Sequence, residues 1–247
     1  MPQAVEVEAT EKMERKEFLK KMAFGAVGVV AVAAAFPGEI LGARKKQYGM
    51  VIDVRRCTGC RACMVACKAE NNVPLGGFRN WVNYTETGSY PTVRRAMSPR
   101  LCNHCTEPEC VAACPVKAIY KREDGVVLVD ENKCKNIKLC ITKCPYGAIH
   151  TDPVSLKANK CTLCLHRVEA GVVPACVNTC QGRARVFGDL GDPTSEASRL
   201  VATQPTTTLR PHKGSPNIHY IGLDEAGATG EDDEWMKMNR EFSSTRR

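Results

Sequence analysis

The stretch of sequence that decides the fold is Cys57-Thr-Gly-Cys60-Arg-Ala-Cys63-Met-Val-Ala-Cys67. Two residues separate Cys57 from Cys60 and Cys60 from Cys63, and the small Gly59 lets the chain turn tightly between them. Three thiol groups can therefore converge on one point. Cys67 follows after three more residues, about one helical turn further on, so we expect it to point to a second site.

Three more cysteine groups follow, and in each a close set is followed by a last cysteine after three residues. These groups are Cys102, Cys105, Cys110 and Cys114; Cys134, Cys140 and Cys144; and Cys161, Cys164, Cys176 and Cys180. The first group has the spacing of two-cluster bacterial ferredoxins, in which the last cysteine ligates the other cluster. Four such groups, two of which end in Cys-Pro, predict iron–sulfur clusters.

Disulfide bonds and zinc are the competing uses of these cysteines. The 15 cysteines among 247 residues fall below the roughly 8–10% that is typical of a disulfide scaffold, and their number is odd. Zinc sites use Cys-x2-Cys pairs but need no third and fourth cysteine in the same short run. Only 6% of the residues are aromatic, so an apolar core would be thin and we expect the clusters to organise it.

The charge of the chain is consistent with bound clusters. Its formal net charge is +8, whereas an oxidised cluster with its thiolates carries roughly −2. We interpret the basic residues near the cysteines, such as Arg55, Arg61 and Lys133, as compensation for this negative charge. No stripe of basic and aromatic residues supports nucleic-acid binding. No phosphate-binding loop, dinucleotide fingerprint or nucleophile with a base indicates catalysis.

The local patterns predict an α+β fold built from short elements. Residues 50–54 alternate like a strand, and residues 118–130 contain two strand-like runs around Asp124-Gly125, a favoured hairpin turn. Residues 110–114 and 139–144 look like one or two helical turns, each stopped by a proline. We therefore expect tandem, pseudo-twofold ferredoxin-like modules, with small hairpins and short helices around a core of clusters.

The N-terminal residues 1–43 look like an export signal. A charged run ending in Arg15-Lys16-Glu-Phe-Leu-Lys precedes 14 small or apolar residues. The run is similar to a twin-arginine signal in which Lys16 takes the place of the second arginine. Such a signal suits a protein that crosses the membrane already folded around its clusters. An N-terminal anchor helix is the alternative interpretation.

The rest of the chain divides into a cluster domain and a tail. Residues 44–192 form the predicted four-cluster domain, and its insertion, residues 68–101, is expected to pack on a partner or cap a cluster, or to be a plain surface loop. Residues 193–247 are expected to be a tail that is extended or disordered. After residue 43 no window approaches the roughly 18 apolar residues that span a bilayer.

Residues 50–192 resemble the four-cluster electron-transfer subunits of membrane-bound respiratory oxidoreductases, which serve polysulfide, tetrathionate, dimethyl sulfoxide and nitrite reductases. Beside the first cysteine run, the stretches that carry the resemblance include Leu101-Cys-Asn-His-Cys, Lys160-Cys-Thr-Leu-Cys and Phe187-Gly-Asp-Leu-Gly-Asp-Pro. Within that family, Asn71-Asn-Val-Pro-Leu-Gly and Tyr120-Lys-Arg-Glu-Asp-Gly look closest to the periplasmic iron–sulfur subunit of the transmembrane complex linked to dissimilatory sulfite reductase, the DsrMKJOP type.

The resemblance implies that the first cysteine group shares clusters with the fourth, and the second with the third. The implied ligand sets are Cys57, Cys60, Cys63 and Cys180 for cluster 1; Cys67, Cys161, Cys164 and Cys176 for cluster 2; Cys102, Cys105, Cys110 and Cys144 for cluster 3; and Cys114, Cys134 and Cys140 for cluster 4. Ile137 stands where the family normally carries the missing cysteine, and Asn136 replaces the usual glycine. We therefore predict three [4Fe–4S] clusters and, as cluster 4, one [3Fe–4S] cluster. An unfilled site and a four-iron cluster with a non-cysteine ligand are the alternatives for cluster 4.

The resemblance also implies an electron-transfer subunit that carries a chain of clusters and has no catalytic residues of its own. It would link an integral-membrane quinone-reactive or haem subunit to a redox partner, a cytochrome or a molybdopterin catalytic subunit, in a hetero-oligomeric respiratory complex of sulfur metabolism. The iron–sulfur subunit of a molybdopterin enzyme that reduces a sulfur, nitrogen or arsenic oxyanion is the alternative, and a free soluble ferredoxin is a third. We expect a periplasmic location, with membrane association through the partner subunits.

Overall fold

The computed structural model describes residues 45–209 and 213–224. The predicted export signal, residues 1–43, therefore lies outside the described residues. In chain order the elements are β1 Tyr48–Asp53, a 3-10 helix Val54–Arg56, α1 Ala62–Glu70, β2 Asn80–Thr87, β3 Arg94–Leu101, α2 Glu109–Ala112, β4 Ile119–Lys121, β5 Val127–Val129, α3 Leu139–Lys143, β6 Ile149–Thr151, β7 Ala158–Lys160, α4 Leu165–Glu169, α5 Ala175–Asn178, β8 Arg185–Asp189, α6 Glu196–Thr203, β9 Thr206–Thr207 and β10 Ile218–Ile221. Over the described part of the chain, no helix is both long and apolar enough to cross a membrane.

The short elements predicted from local patterns are confirmed. The strand expected at residues 50–54 is β1. The hairpin expected in residues 118–130 is the antiparallel pair β4–β5, and Gly125 at its turn has a φ of 85°, which a residue with a side chain rarely adopts. The two helical turns expected before the prolines are α2 and α3. The mixture of small helices and strands agrees with the α+β prediction.

The largest sheet has the strand order β8-β1-β10-β9. β1 runs antiparallel to β8 and parallel to β10, so it is hydrogen-bonded on both sides. Met50 and Ile52 of β1 are completely buried in one apolar cluster, whereas Val51 between them is buried in another. Successive strand residues point to opposite faces, so the sheet buries apolar side chains on both of its faces.

The two faces of this sheet have different neighbours. On one face Val51 belongs to the same buried cluster as Ala197 of α6. Gly188 of β8 permits this approach, because a Cβ there would lie only 3.0 Å from the Ala197 Cβ. On the other face Met50 belongs to the same buried cluster as Cys63 and other cysteines of the ligand loops. This face of the sheet therefore packs against the cysteine loops.

Residues 193–209 and 213–224 are not part of an extended tail of the kind that the sequence predicted for residues 193–247. Within them, α6 packs on the sheet and β10 lies between β1 and β9. Ile218 and Tyr220 of β10 are completely buried. β10 has only four residues, and its partner strand β1 lies at the other end of the domain, so no local pattern reveals the pairing. Residues 210–212 and 225–247 fall outside the described part of the chain.

The insertion at residues 68–101 contains the antiparallel β2–β3 hairpin. The side chain of Asn80 at the start of β2 donates a hydrogen bond to the Cys63 carbonyl at 3.0 Å. Met97 of β3 lies against Gly59, where a Cβ would be 2.9 Å from the Met97 sulfur. Among the interpretations left open by the sequence, packing over the first cysteine loop therefore agrees with the structure.

We expect Asn217→Ala to weaken the loop that holds the second cysteine group. The Asn217 side-chain amide donates to the His104 carbonyl at 2.6 Å, and its backbone N–H donates to the Asn103 carbonyl at 2.9 Å. Removing the buried side-chain donor costs about 1–3 kcal/mol of stability. The temperature at which the visible cluster absorbance is lost should fall, while Asn132→Ala, at an exposed position, should leave it unchanged. An unaltered bleaching temperature in Asn217→Ala would contradict this role.

Candidate metal centres

The loop of the first cysteine group and the loop of the third follow the same backbone path. Gly59 and Arg61 have φ angles of 71° and 60° in the first loop, and Asn136 and Lys138 have φ angles of 54° and 65° in the other. Each loop then leads directly into a helix, α1 or α3. Glycine and asparagine are the residues that adopt this left-handed conformation most readily. Asn136 therefore adopts the left-handed conformation at the position where the family normally has a glycine.

The first thiol set comprises Cys57, Cys60, Cys63 and Cys180. Burial raises the pKa of the Cys57 thiol, and the nearby charges of Cys63 and Cys180 raise it further. These three cysteines are thus neighbours, although Cys180 lies far along the sequence. Cys60 belongs to the same loop and is exposed to solvent.

The second thiol set comprises Cys67, Cys161, Cys164 and Cys176, and all four line one pocket. Burial raises the pKa of Cys176 to about 12, and the charges of Cys67 and Cys164 act in the same direction. Burial also raises the pKa of Cys161 well above its ordinary value. A thiolate at these positions is therefore unfavourable unless a positive charge is supplied from close by.

The third thiol set comprises Cys102, Cys105, Cys110 and Cys144. Burial raises the pKa of Cys110 to about 12, and the charges of Cys102 and Cys144 add to the effect. The pKa of Cys105 is raised by burial and by the charges of its three set members. The four thiols of this set therefore lie together in a buried place.

The fourth thiol set has only three members, Cys114, Cys134 and Cys140, which line one pocket together with Ile137. Burial raises the pKa of Cys140 to about 11, and the charges of Cys134 and Cys114 raise it further. Because the two loops share their backbone path, Ile137 occupies the position that Cys60 has in the first set. The structure thus places an alkyl side chain where a fourth thiolate would stand.

Two pairs of short helices bring these distant cysteines together. α1, which carries Cys63 and Cys67, packs against α5, which carries Cys176. α2, with Cys110, packs in the same way against α3, with Cys140. All 15 cysteines are free thiols. The first group is thereby joined to the fourth and the second group to the third.

The four thiol sets form a row. The charge of Cys63 in the first set acts on Cys176 in the second. The charge of Cys102 in the third set acts on Cys161 in the second. The charge of Cys140 in the fourth set acts on Cys110 in the third. The order is therefore first, second, third and fourth. The second and third sets are internal to the row, and the first and fourth sets are at its ends.

Hydrogen-bond donors point at the sulfur atoms. The backbone N–H groups of Ala118 and Ala158 donate to the sulfurs of Cys114 and Cys134 at 3.3 and 3.5 Å. Those of Leu163 and Ala184 donate to the sulfurs of Cys161 and Cys180, both at 3.3 Å. N–H donors of this kind stabilise metal-bound thiolate sulfur. Within residues 45–209 and 213–224, no three His, Cys, Asp or Glu side chains are arranged to hold a single metal ion. The thiols, their burial and their donors fit iron–sulfur clusters, in which each thiolate binds its own iron atom.

One basic side chain reaches the thiols from a position that the sequence did not indicate. Arg55, one of the residues that the sequence suggested for charge compensation, forms an ion pair with Asp53 at 2.9 Å. Arg185 is instead a buried cation that donates to the Cys63 and Cys176 sulfurs at 3.6 and 3.8 Å. The sequence shows an arginine five residues after Cys180, but only the fold shows which thiols it contacts.

Two further residues near the thiols make contacts that the sequence did not indicate. Lys160, at the end of β7, is buried and donates to the Cys161 carbonyl at 2.8 Å. Asn71 follows α1 and donates from its side-chain amide to the Cys164 and Cys67 sulfurs at 3.6 and 3.8 Å. Both residues begin stretches that carry the family resemblance, but only the fold shows which groups they contact.

The comparisons with known proteins give the class first. The family model of the 4Fe-4S dicluster domain matches residues 93–190. This part of the protein is a ferredoxin-like 4Fe-4S dicluster domain, and the protein carries iron–sulfur clusters.

Relatives over most of the sequence give the family. A tetrathionate reductase subunit of Salmonella typhimurium is 40% identical over 227 residues, which cover 87% of this protein and 90% of the relative. A polysulfide reductase subunit of Wolinella succinogenes is 39% identical, covering 67% of this protein and 87% of the relative. A putative dimethyl sulfoxide reductase iron–sulfur subunit of Halobacterium salinarum is 39% identical, covering 70% and 78%. The protein belongs to this family of iron–sulfur electron-transfer subunits of molybdopterin-type oxidoreductases and is not an enzyme on its own.

We expect Asn71→Leu to lower one reduction potential. Its amide donates to two sulfurs of the second thiol set, and such hydrogen bonds favour the more negative, reduced form of a cluster. In a redox titration followed by electron paramagnetic resonance, one midpoint potential should become more negative. Asn132→Leu, which changes an exposed asparagine, should shift none. Fully iron-loaded Asn71→Leu with four unchanged potentials would count against this role.

Proposed function

We propose that the protein conducts electrons along four clusters, between an integral-membrane quinone-reactive subunit and a catalytic molybdopterin subunit, in a respiratory complex that acts on a sulfur compound. The observation that carries this proposal is the row of four thiol sets. When bound, the clusters supply one-electron chemistry, and the role of the protein is to hold them in sequence and set their potentials. The names of the relatives, which are subunits of tetrathionate and polysulfide reductases, favour a sulfur compound as the terminal substrate.

The proposed ligands are the members of the four thiol sets. The first, second and third sets each supply four thiolates for a [4Fe–4S] cluster, and the fourth set supplies three thiolates for a [3Fe–4S] cluster. On this assignment the cluster domain consists of two ferredoxin-like modules, one built on the first and fourth cysteine groups and the other on the second and third. No cysteine is left over.

The ends of the row are the proposed points of electron entry and exit. Cys60 of the first set is exposed, and Ile137 beside the fourth set has 46% of its surface accessible. The second set is the most enclosed, since all four of its thiols are buried. An electron arriving from a partner therefore meets a terminal set first, and the internal sets connect the two surfaces.

A second candidate is the DsrMKJOP type of complex, which is linked to sulfite reductase. It is favoured by Asn71-Asn-Val-Pro-Leu-Gly and Tyr120-Lys-Arg-Glu-Asp-Gly, the two stretches that resemble its periplasmic iron–sulfur subunit. The protein would conduct electrons in the same way, and only the partners would differ. In both cases the export-like residues 1–43 support a periplasmic location, with attachment to the membrane through partner subunits.

Purification of the intact complex from membranes tests the function. We expect the protein to co-purify with a membrane subunit and to be degraded when protease is added to spheroplasts. A molybdopterin subunit in the complex supports the first proposal, and a cytochrome with a cytoplasmic iron–sulfur subunit supports the second. A partnerless soluble monomer, the free-ferredoxin alternative, would refute both.

We expect Ile137→Cys to convert the [3Fe–4S] cluster into a [4Fe–4S] cluster, because the new thiolate stands where Cys60 stands in the matching loop. The oxidised protein should lose the paramagnetic signal of a three-iron cluster, since oxidised four-iron clusters are diamagnetic.

The matched variant Cys60→Ile should do the reverse. Removing the equivalent thiolate from the first set should add a second three-iron signal to the oxidised protein. A fully loaded natural protein without any three-iron signal would refute the [3Fe–4S] assignment, whatever the variants show.

A further inference from the structure

Arg185 is a buried cation between two thiol sets. It begins β8 and pairs in register with Ile52 of β1, and only 3% of its surface is accessible. One arm of its guanidinium group donates to the Cys63 sulfur at 3.6 Å, and the other donates to the Cys176 sulfur at 3.8 Å. Cys63 belongs to the first thiol set and Cys176 to the second.

The thiols compensate for the burial of this charge. An arginine guanidinium keeps its positive charge in proteins, and the Cys63 and Cys176 sulfurs are hydrogen-bond partners of this buried group. A buried charge without a partner is strongly unfavourable, so the arginine and the thiolates depend on each other.

The charge of Arg185 acts on more than its two hydrogen-bond acceptors. Its positive charge also interacts with Cys57, another member of the first set, and with Cys67, another member of the second. It therefore faces both sets rather than belonging to one. Electrostatic interactions over such distances are strong because the protein interior has a low effective dielectric constant.

We propose that Arg185 is a positioning residue that holds one positive charge between clusters 1 and 2 and raises the reduction potentials of both. This inference rests on the ligand sets of the proposed function. Reduction adds one negative charge to a cluster and its thiolates, and a fixed cation nearby stabilises that reduced state. Because the two clusters share one cation, their potentials rise together.

The planar fork of arginine suits this position. Its N–H groups diverge in fixed directions, so one side chain can donate to two sulfurs that belong to different clusters. A lysine ammonium is a single point charge on a flexible stem and does not reproduce this two-armed contact. The position therefore requires the two donor arms of an arginine as well as its positive charge.

The test compares Arg185→Gln and Arg185→Lys with a control, Arg199→Gln, in the full-length iron-loaded protein. Arg199 is an exposed arginine on α6, which packs on the other face of the sheet. The readouts are the iron content and the midpoint potentials of all clusters, from redox titrations followed by electron paramagnetic resonance. In Arg185→Gln, two midpoint potentials should become more negative while the others stay unchanged. Arg199→Gln should shift none.

Three results in iron-loaded Arg185→Gln would overturn the proposal: unchanged potentials, a fall in one potential alone, or an equal fall in all of them. If Arg185→Gln fails to take up iron, Arg185→Lys decides. It retains the charge but loses the two-armed contact, so at least one of the two potentials must fall, and wild-type values for both would refute the bridging role. Failure of the proposed ligand sets is distinguishable, because the natural protein would then lack four clusters.

Discussion

The buried negative charge of the thiolates is the constraint on which the rest of this structure depends. Burial raises the pKa of Cys110 and Cys176 to about 12, so a thiolate at either position is unfavourable in the protein alone. Iron ligands must nevertheless be deprotonated, and a bound metal centre stabilises them through its own positive charge. Cluster binding and folding of the cysteine loops are therefore linked.

The scaffold meets this constraint with short elements and long-range contacts. The helices that carry ligands have between four and nine residues, so they gain little stability of their own. Their positions are held by helix pairs that join distant cysteine groups and by the sheet in which β10 lies beside β1. N–H donors and the buried Arg185 then act on the sulfur atoms themselves. The same contacts that complete the fold thereby influence the electronic properties of the site.

The sequence predicted the parts of this structure that depend on local spacing. The tight loop around Gly59, the hairpin at Asp124-Gly125 and the helical turns before the prolines all follow from a few neighbouring residues. The substitution at Ile137 was also visible, because the family resemblance defines what the position normally holds. The residues that each set contains came from a family resemblance, and their assignment to clusters stays a prediction.

The parts that the sequence did not reveal depend on contacts between distant segments. β10 is a short strand inside a region rich in Thr, Pro and Gly, and only its pairing with β1 makes it part of the core. Arg185 carries no local signal, because its role arises from Cys63 and Cys176, which approach it from two other segments. A charged residue in a strand is ordinarily expected to face solvent. Its burial becomes understandable only once the thiolates are in place.

The most direct test of the account is to measure iron, sulfide and folding on the same anaerobically isolated protein, before and after chelation of the iron. The account predicts about 15 iron atoms per protein molecule, in three four-iron clusters and one three-iron cluster. It also predicts that the cooperative thermal transition, followed by circular dichroism, disappears once the iron is removed. A colourless, iron-free protein that unfolds cooperatively at the same temperature would contradict it.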